Sequence, residues 1–322
     1  MTYEQEAPFA VQVEFSEGCN LYCNFCGLQG IREQKAKNYR FMTARTANRI
    51  ASQLAEAGWN ARIEFAMHGE PTMNPKLVNL VRIFRHHLPR NQLMMTSNGG
   101  GIVKSPTALL TALFEAGLNV YALDAYEYVN LAPKIMEDVS QHNDFYFEVR
   151  YYPDDKDASP HKRWPHTAKV LIHVQDISVA DEGNHSMLNN HCGAGSPPLA
   201  ESMNARCAKP FREMSFRWDG RVAICCNDWR GVYKIGSIHD NSLTDLWLSE
   251  RMNAARTMLY HGRRDLLSPC DICDAKSYRV GLLPDKKGLI ELDEPTKDDK
   301  RIAREAASGD PYTTPVKREW EK

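Results

Sequence analysis

Long apolar runs are missing from this chain. Stretches such as Val222–Cys226 fall far short of the ~20 residues that cross a bilayer, so a membrane span is not expected. The N-terminal Met-Thr-Tyr-Glu-Gln-Glu-Ala lacks a basic segment followed by an apolar one, which argues against a secretion signal. A surplus of one charge is also missing. With a net charge of −1, nothing global recommends a nucleic-acid or membrane surface. No internal repeat stands out beyond an alternation of strand-like and helix-like segments. These absences make a cytoplasmic protein the expectation. What is plentiful is cysteine. Nine cysteines in a reducing compartment are poor disulfide partners, and their close spacings point to metal or catalytic chemistry. The 322 residues suffice for one barrel-sized α/β domain or two smaller units, and the apolar fraction of 43% allows a packed core.

The first half alternates strand and helix. Val11, Val13 and Phe15 alternate with polar residues, as in a half-buried strand, and a cysteine-rich loop follows at 16–30. Thr43 is placed to cap a helix reaching Ala57, with Gly58 as its stop. Ile63–Ala66 reads as a strand ending in Met67-His68-Gly69-Glu70-Pro71. Asn74 and Pro75 then read as the start of a second helix. Leu93–Thr96 is a third strand, with Ser97-Asn98-Gly99-Gly100-Gly101 as its exit loop. A helix from Ser105-Pro106 closes at Gly117. Val120–Leu123, Phe145–Tyr151 and Lys169–Val174 complete six strands. This order implies a parallel sheet that can curve into a barrel, with its chemistry on loops leaving the strand C-termini. Residues 181–206 read as a connector. A hairpin turns at Asp219-Gly220, and Ser242 caps one long helix carrying Leu243, Leu246, Trp247, Met252 and Met258. The expected domains are 1–180, 181–283 and a charged tail or wrapping segment at 284–322.

Cys19, Cys23 and Cys26 place three thiols within one loop directly after a strand. Thiolates suit iron–sulfur clusters and zinc, not hard cations. Three can hold three irons of a [4Fe–4S] cube and leave the fourth open to a ligand's amino and carboxylate groups. A structural zinc site is the alternative and would need a fourth ligand from elsewhere.

Here the sequence resembles the radical S-adenosylmethionine (SAM) superfamily, whose signature is this three-cysteine loop after the first strand of a partial (β/α)6 barrel. Phe25, just before the last cysteine, fits that pattern. Gly69, Glu70 and Pro71 are similar to the motif that binds the SAM amino group, with His68 where many members have another glycine. Ser97 and Asn98 match a loop near SAM, and Asp124 stands where ribose-contacting groups are found. The resemblance covers roughly residues 10–180. It implies reductive cleavage of SAM to a 5′-deoxyadenosyl radical, which abstracts a hydrogen from an unactivated C–H bond. An electron donor such as flavodoxin or ferredoxin is then the implied partner. Apart from the resemblance, a glycine at 69 lets backbone approach a neighbour closely, and Glu70 can offset an ammonium charge.

Cys207, Cys225, Cys270 and Cys273 form a second set from separated segments. A four-cysteine zinc site is compatible with that spacing. The pattern resembles the auxiliary-cluster modules of the same superfamily, the SPASM domain and its shorter twitch form. No cysteine follows Cys273, which favours a twitch-like β-hairpin plus helix with one auxiliary cluster. The spacing is similar to that of a radical SAM dehydrogenase acting on an aminocyclitol. Two [4Fe–4S] clusters and SAM are therefore the implied cofactors. Cys226 abuts a ligand and can replace Cys225 if the register shifts. Cys192, on the connector, is a candidate hydrogen donor to a substrate radical, or else a small buried apolar residue.

A fully thiolate-ligated cluster has no open iron, so accepting an electron is its natural task. The expected reaction is hydrogen abstraction with net oxidation of a small polar, sugar-like or nucleotide substrate. Redox-neutral epimerisation or isomerisation, including modification of a nucleotide or nucleic-acid base, is the rival. A non-catalytic iron–sulfur or zinc module is the alternative from another class. Tyr126, Arg150 and Tyr152, with the basic and aromatic stretch 161–164, are the candidate substrate contacts.

Overall fold

The computed structural model describes residues 7–23, 25–31, 39–124, 132–139, 146–151, 167–175, 189–195, 197–275 and 292–312. Strand-forming alternation sets the first element. In β1 (Ala10–Val13) the side chains of Val11 and Val13 enter the main core, while Gln12 lies on the other face of the sheet. The short strands β2 (Ser16–Glu17) and β3 (Arg40–Phe41) pair antiparallel and frame the cysteine loop between them. Then follow α1 (Ala44–Glu56), β4 (Arg62–Phe65), α2 (Leu77–His87), β5 (Leu93–Ser97), α3 (Pro106–Glu115), β6 (Val120–Asp124), α4 (Ala132–Val139), β7 (Tyr146–Tyr151) and β8 (Val170–Gln175). The second half supplies α5 (Lys209–Arg212), β9 (Glu213–Phe216), β10 (Arg221–Ala223), β11 (Lys234–Ser237), α6 (Leu243–Trp247), α7 (Glu250–Tyr260) and α8 (Lys297–Ala306).

Nine strands form one sheet in the order β11-β10-β9-β1-β4-β5-β6-β8-β7. From β9 to β7 all pairings are parallel, and only the β9-β10-β11 meander is antiparallel. The barrel half and the later hairpin thus share a sheet through the β1–β9 pairing. One sheet face carries Val11, Ile63, Phe65, Leu93, Met95, Tyr121 and Leu123 into the core shared with α1, α2 and α3. The opposite face changes character along its width. It is polar at β9-β1-β4, where Gln12 donates to Glu64 (3.3 Å), the Arg62 Nε to Glu64 (2.8 Å) and Ser215 to Gln12 (3.4 Å). It becomes apolar at β5-β6-β8 through Met94, Val120, Ala122 and Val170.

Two local expectations are corrected, and the described part of 284–322 follows the wrapping alternative. Asn74 does not open α2. Its side-chain oxygen accepts from the Lys76 amide (2.9 Å) and its amide donates to the Phe15 carbonyl (2.9 Å), so it ties the β4 exit to the cysteine loop and the helix starts at Leu77. The single helix after Ser242 is two helices. Ser242 caps α6, and Ser249 caps α7 by accepting from the Met252 amide (3.2 Å). The charged tail contains a helix. Thr296 and Asp299 form a capping box for α8, and Ala303 and Ala306 bury in the main core. Tyr312 continues back onto the second half, its amide donating to the Gly231 carbonyl (3.0 Å) and its ring lying under Arg221.

Candidate active site

Three loops meet at the C-terminal ends of β1, β4 and β5. The β1 exit brings Cys19, Cys23 and Cys26, followed by a 3-10 turn at Gly27–Gly30. Cys19 and Cys26 are partly exposed, while Cys23 is buried. The Cys19 sulfur accepts from the Leu21 amide (3.3 Å) and from the Asn98 side-chain amide (3.3 Å). Burial and the nearby Glu70 charge push the Cys19 thiol up.

Glu70 is the knot of these loops. One carboxylate oxygen accepts from the Thr72 amide (3.1 Å), the Thr72 hydroxyl and the Ser97 hydroxyl (2.6 Å). The other accepts from the Asn98 amide (2.9 Å). Burial raises its pKa and those four donors oppose the rise. Asp124, at the end of β6, is pushed up to about 8 by burial and then by the Glu70 charge. Glu70, Ser97, Asn98 and Cys19 are thus joined by hydrogen bonds, and Asp124 senses Glu70 electrostatically. The Glu70 amide also donates to the Gly18 carbonyl (2.9 Å). Gly69 has a backbone neighbour: a Cβ there would sit 1.9 Å from the Ser16 carbonyl oxygen. Its close approach is to the cysteine loop, and Pro71 is buried at the start of the next 3-10 turn.

The second set converges as well. Cys207, Cys225, Cys270 and Cys273 are all buried and line one small cavity, together with Cys192, Lys209, Ile224, Leu259 and Arg264. Cys207 precedes α5, Cys225 follows β10, and Cys270 and Cys273 flank a 3-10 turn after α7. Cys192 packs against Cys273 and Ala275. Its hydrogen bond brings the Cys273 thiol down to about 7, against burial, with the Ala275 amide helping. Cys226 points elsewhere: its sulfur accepts from Lys209 Nζ (3.2 Å), which also pairs with Glu213 (3.3 Å). Among the described residues no three His, Cys, Asp or Glu side chains converge on a single-ion point.

Comparison with known proteins agrees with this geometry. A model of the radical SAM superfamily matches residues 13–148, and one of an iron–sulfur cluster-binding domain, SPASM, matches residues 207–274. The chain thus carries a radical SAM domain and a SPASM domain. A relative in Niallia circulans, the S-adenosyl-L-methionine-dependent 2-deoxy-scyllo-inosamine dehydrogenase, is 22% identical over 84% of this chain and 94% of its own length. Among solved structures, BtrN in complex with AdoMet and 2-DOIA has a TM-score of 0.63 at 20% identity, covering 85% of this chain and 98% of that one. BtrN in an open conformation gives a TM-score of 0.55 at 18% identity, covering 83% and 92%.

Radical SAM and SPASM domains together indicate SAM and two [4Fe–4S] clusters as cofactors. The residues present fit them. The first loop offers three soft donors with a partly exposed face, and the second cavity offers four buried soft donors lining one site.

Several residues packed around these loops were not legible beforehand. His191 accepts from the Gly27 amide at Nδ1 (3.1 Å), and burial holds its pKa down to about 3. Trp229 makes tilted ring contacts with His191 (5.3 Å) and His68 (4.4 Å), and a Cβ on Gly27 would meet its ring at 2.6 Å. Only the proximity of His191 to Cys192 in the sequence hinted at this contact. Lys209 carried no signal beyond lying next to the cysteine-bearing segment. Tyr126, Tyr152, the stretch 161–164 and the side chain of Arg150 lie outside the described residues. No helix among the described residues is long and apolar enough to cross a membrane.

Proposed function

We propose that this radical SAM enzyme removes a hydrogen atom from a C–H bond of a small polar, sugar-like or nucleotide substrate and completes a net two-electron oxidation. Cys19, Cys23 and Cys26 would hold the first cluster, and Cys207, Cys225, Cys270 and Cys273 the second. When bound, the first cluster and SAM supply an organic radical strong enough to take hydrogen from an unactivated carbon. The chain's own residues orient that chemistry. Glu70 fixes the β4 and β5 exits in register with Cys19 through Ser97 and Asn98, and its carboxylate faces any ammonium entering there. Asp124, at the β6 exit, offers a polar contact to a ribose. Gln12, Glu64 and Ser215 line the polar part of the sheet face, which suits a hydroxylated substrate.

The observation carrying the oxidative reading is the second cavity, where four buried thiols meet with no partly exposed partner. Closed ligation suits a site that takes an electron and binds no substrate. Likeness to the inosamine dehydrogenase supports the same direction. The test is anaerobic turnover of a polyol, aminocyclitol and nucleotide panel in deuterated water. The expected product is two hydrogens lighter than its substrate and carries no deuterium on carbon. An isomeric product with deuterium on carbon would replace oxidation by epimerisation.

A further inference from the structure

The second cavity holds five cysteines, one more than a four-iron cube has irons to bind. The fifth, Cys192, is buried and packs against Cys273 rather than standing apart. It arrives there on a strained turn. His191 and Cys192 have φ of 50° and 52°, a left-handed conformation that residues with a Cβ rarely adopt. Such strain persists only when the surroundings impose it, and here they do so from two sides. On one side the Gly27 amide donates to His191, next to the first cysteine loop. On the other, the Asn190 amide donates to Asp274 (2.6 Å) and the Asn190 side chain to the Ile272 carbonyl (2.8 Å), while the Leu199 amide donates to the same carbonyl (3.1 Å). These bonds fasten the turn to the segment carrying Cys270 and Cys273. A small apolar residue on a relaxed turn would fill the same space without a strained backbone.

We propose that Cys192 is a positioning residue of the second cluster that keeps its proton and donates an S–H hydrogen bond to the Cys273 sulfur, raising the potential at which that cluster accepts an electron. The proposal rests on the cluster reading of the second cysteine set. A fifth thiolate without an iron would add a like charge to a buried cavity that already holds four other cysteine sulfurs, so the sulfur retains its hydrogen. A donor aimed at a cluster sulfur stabilises the extra negative charge of the reduced state, which is one of the levers that set iron–sulfur potentials. The same turn also touches the first cysteine loop through His191, so this donor is positioned by both sites.

The experiment uses the full chain carrying Cys19→Ala, Cys23→Ala and Cys26→Ala, reconstituted anaerobically so that only the second cluster contributes. Cys192→Ala in this background is expected to keep its iron and to shift the midpoint potential negative, by up to about 59 mV for a tenfold change in the one-electron equilibrium. Cys192→Ser, which retains a donor, is expected to return most of that shift. With Cys192 intact, the reduced cluster should show an exchangeable proton coupling that disappears in deuterated water. An unchanged potential in Cys192→Ala, or no exchangeable coupling with Cys192 intact, would overturn the proposal. So would loss of iron in both Cys192 variants, which would make Cys192 a ligand. If Cys192→Ala does not fold, the Cys192→Ser potential and the exchangeable coupling decide. Retention of all iron in Cys270→Ala in the same background would overturn the cluster reading itself.

Discussion

The two cysteine sites are built in opposite ways. The first lies on one loop after β1, with Cys19 and Cys26 partly exposed and Cys19 receiving hydrogen bonds from Leu21 and Asn98. The second draws four cysteines from three separated segments, and every one of them is buried. An open site made from contiguous chain suits a place where a ligand enters. A closed site assembled from distant chain exists only after folding and suits a place that exchanges electrons alone. On the proposed function, the contrast separates where radical chemistry begins from where its electron leaves.

The largest effect should come from breaking the open site. Replacing Cys19, Cys23 or Cys26 with Ala is expected to abolish 5′-deoxyadenosine formation from SAM and dithionite. The triple variant should retain roughly half of about eight irons. Undiminished SAM cleavage in any single variant would remove that cysteine from the first cluster. Breaking the closed site is expected to divide the activity differently. Cys270→Ala should leave SAM cleavage in place, stop product formation and lower the iron content by about half. Product formed at the normal yield per SAM would show that oxidation needs no second cluster.

What could be read in advance follows the same division. Cys19, Cys23 and Cys26 lie so close in the chain that no fold is needed to bring them together. The parallel sheet was equally legible, because each strand and helix carries its own periodicity. The position of β8 between β6 and β7 was not, because strand order depends on contacts between segments and not on any local pattern. Cys192 joins the second cavity through Asn190 and Asp274, 84 positions apart, and a left-handed turn at two non-glycine residues leaves no compositional mark. Ser249 reads as an ordinary member of a helix until its hydroxyl is seen capping α7. In α8 the charged residues masked a helix whose buried face is two alanines.

A smaller effect is expected at the knot of the open site. Glu70→Ala removes the acceptor for Thr72, Ser97 and Asn98 and leaves buried donors unpaired. It also removes the charge that, on the proposed function, meets the SAM ammonium. The expected loss of SAM affinity is about 1.5–3 kcal/mol, measured by calorimetry, with a lower melting temperature as the structural companion. Unchanged affinity alongside reduced stability would make Glu70 a tether only.

The smallest effect concerns Asp124, whose pKa of about 8 lies above its ordinary value of 3.8. Below both values the carboxyl is protonated in folded and unfolded chains and costs nothing. Between them the unfolded chain releases its proton while the folded chain retains it, so native stability declines as pH rises and the decline is complete above about 8. Asp124→Asn should therefore gain melting temperature over the parent progressively from pH 4 to pH 8 and hold that gain beyond. A constant difference across the range would show that Asp124 ionises normally.

The pairing of β1 with β9 has a consequence for how this chain comes into being. Ala10–Val13 has β4 on one side, available once some 65 residues are made, but its other edge stays open until Glu213–Phe216 arrives. For most of synthesis the first strand of the sheet is thus a bare template of unpaired backbone groups, the kind of edge that recruits strands from other chains. Non-local closure of this sort slows folding and lengthens the time at risk. A fragment ending near residue 180 would keep that edge permanently and is expected to aggregate, even though it contains every residue of the first cysteine loop.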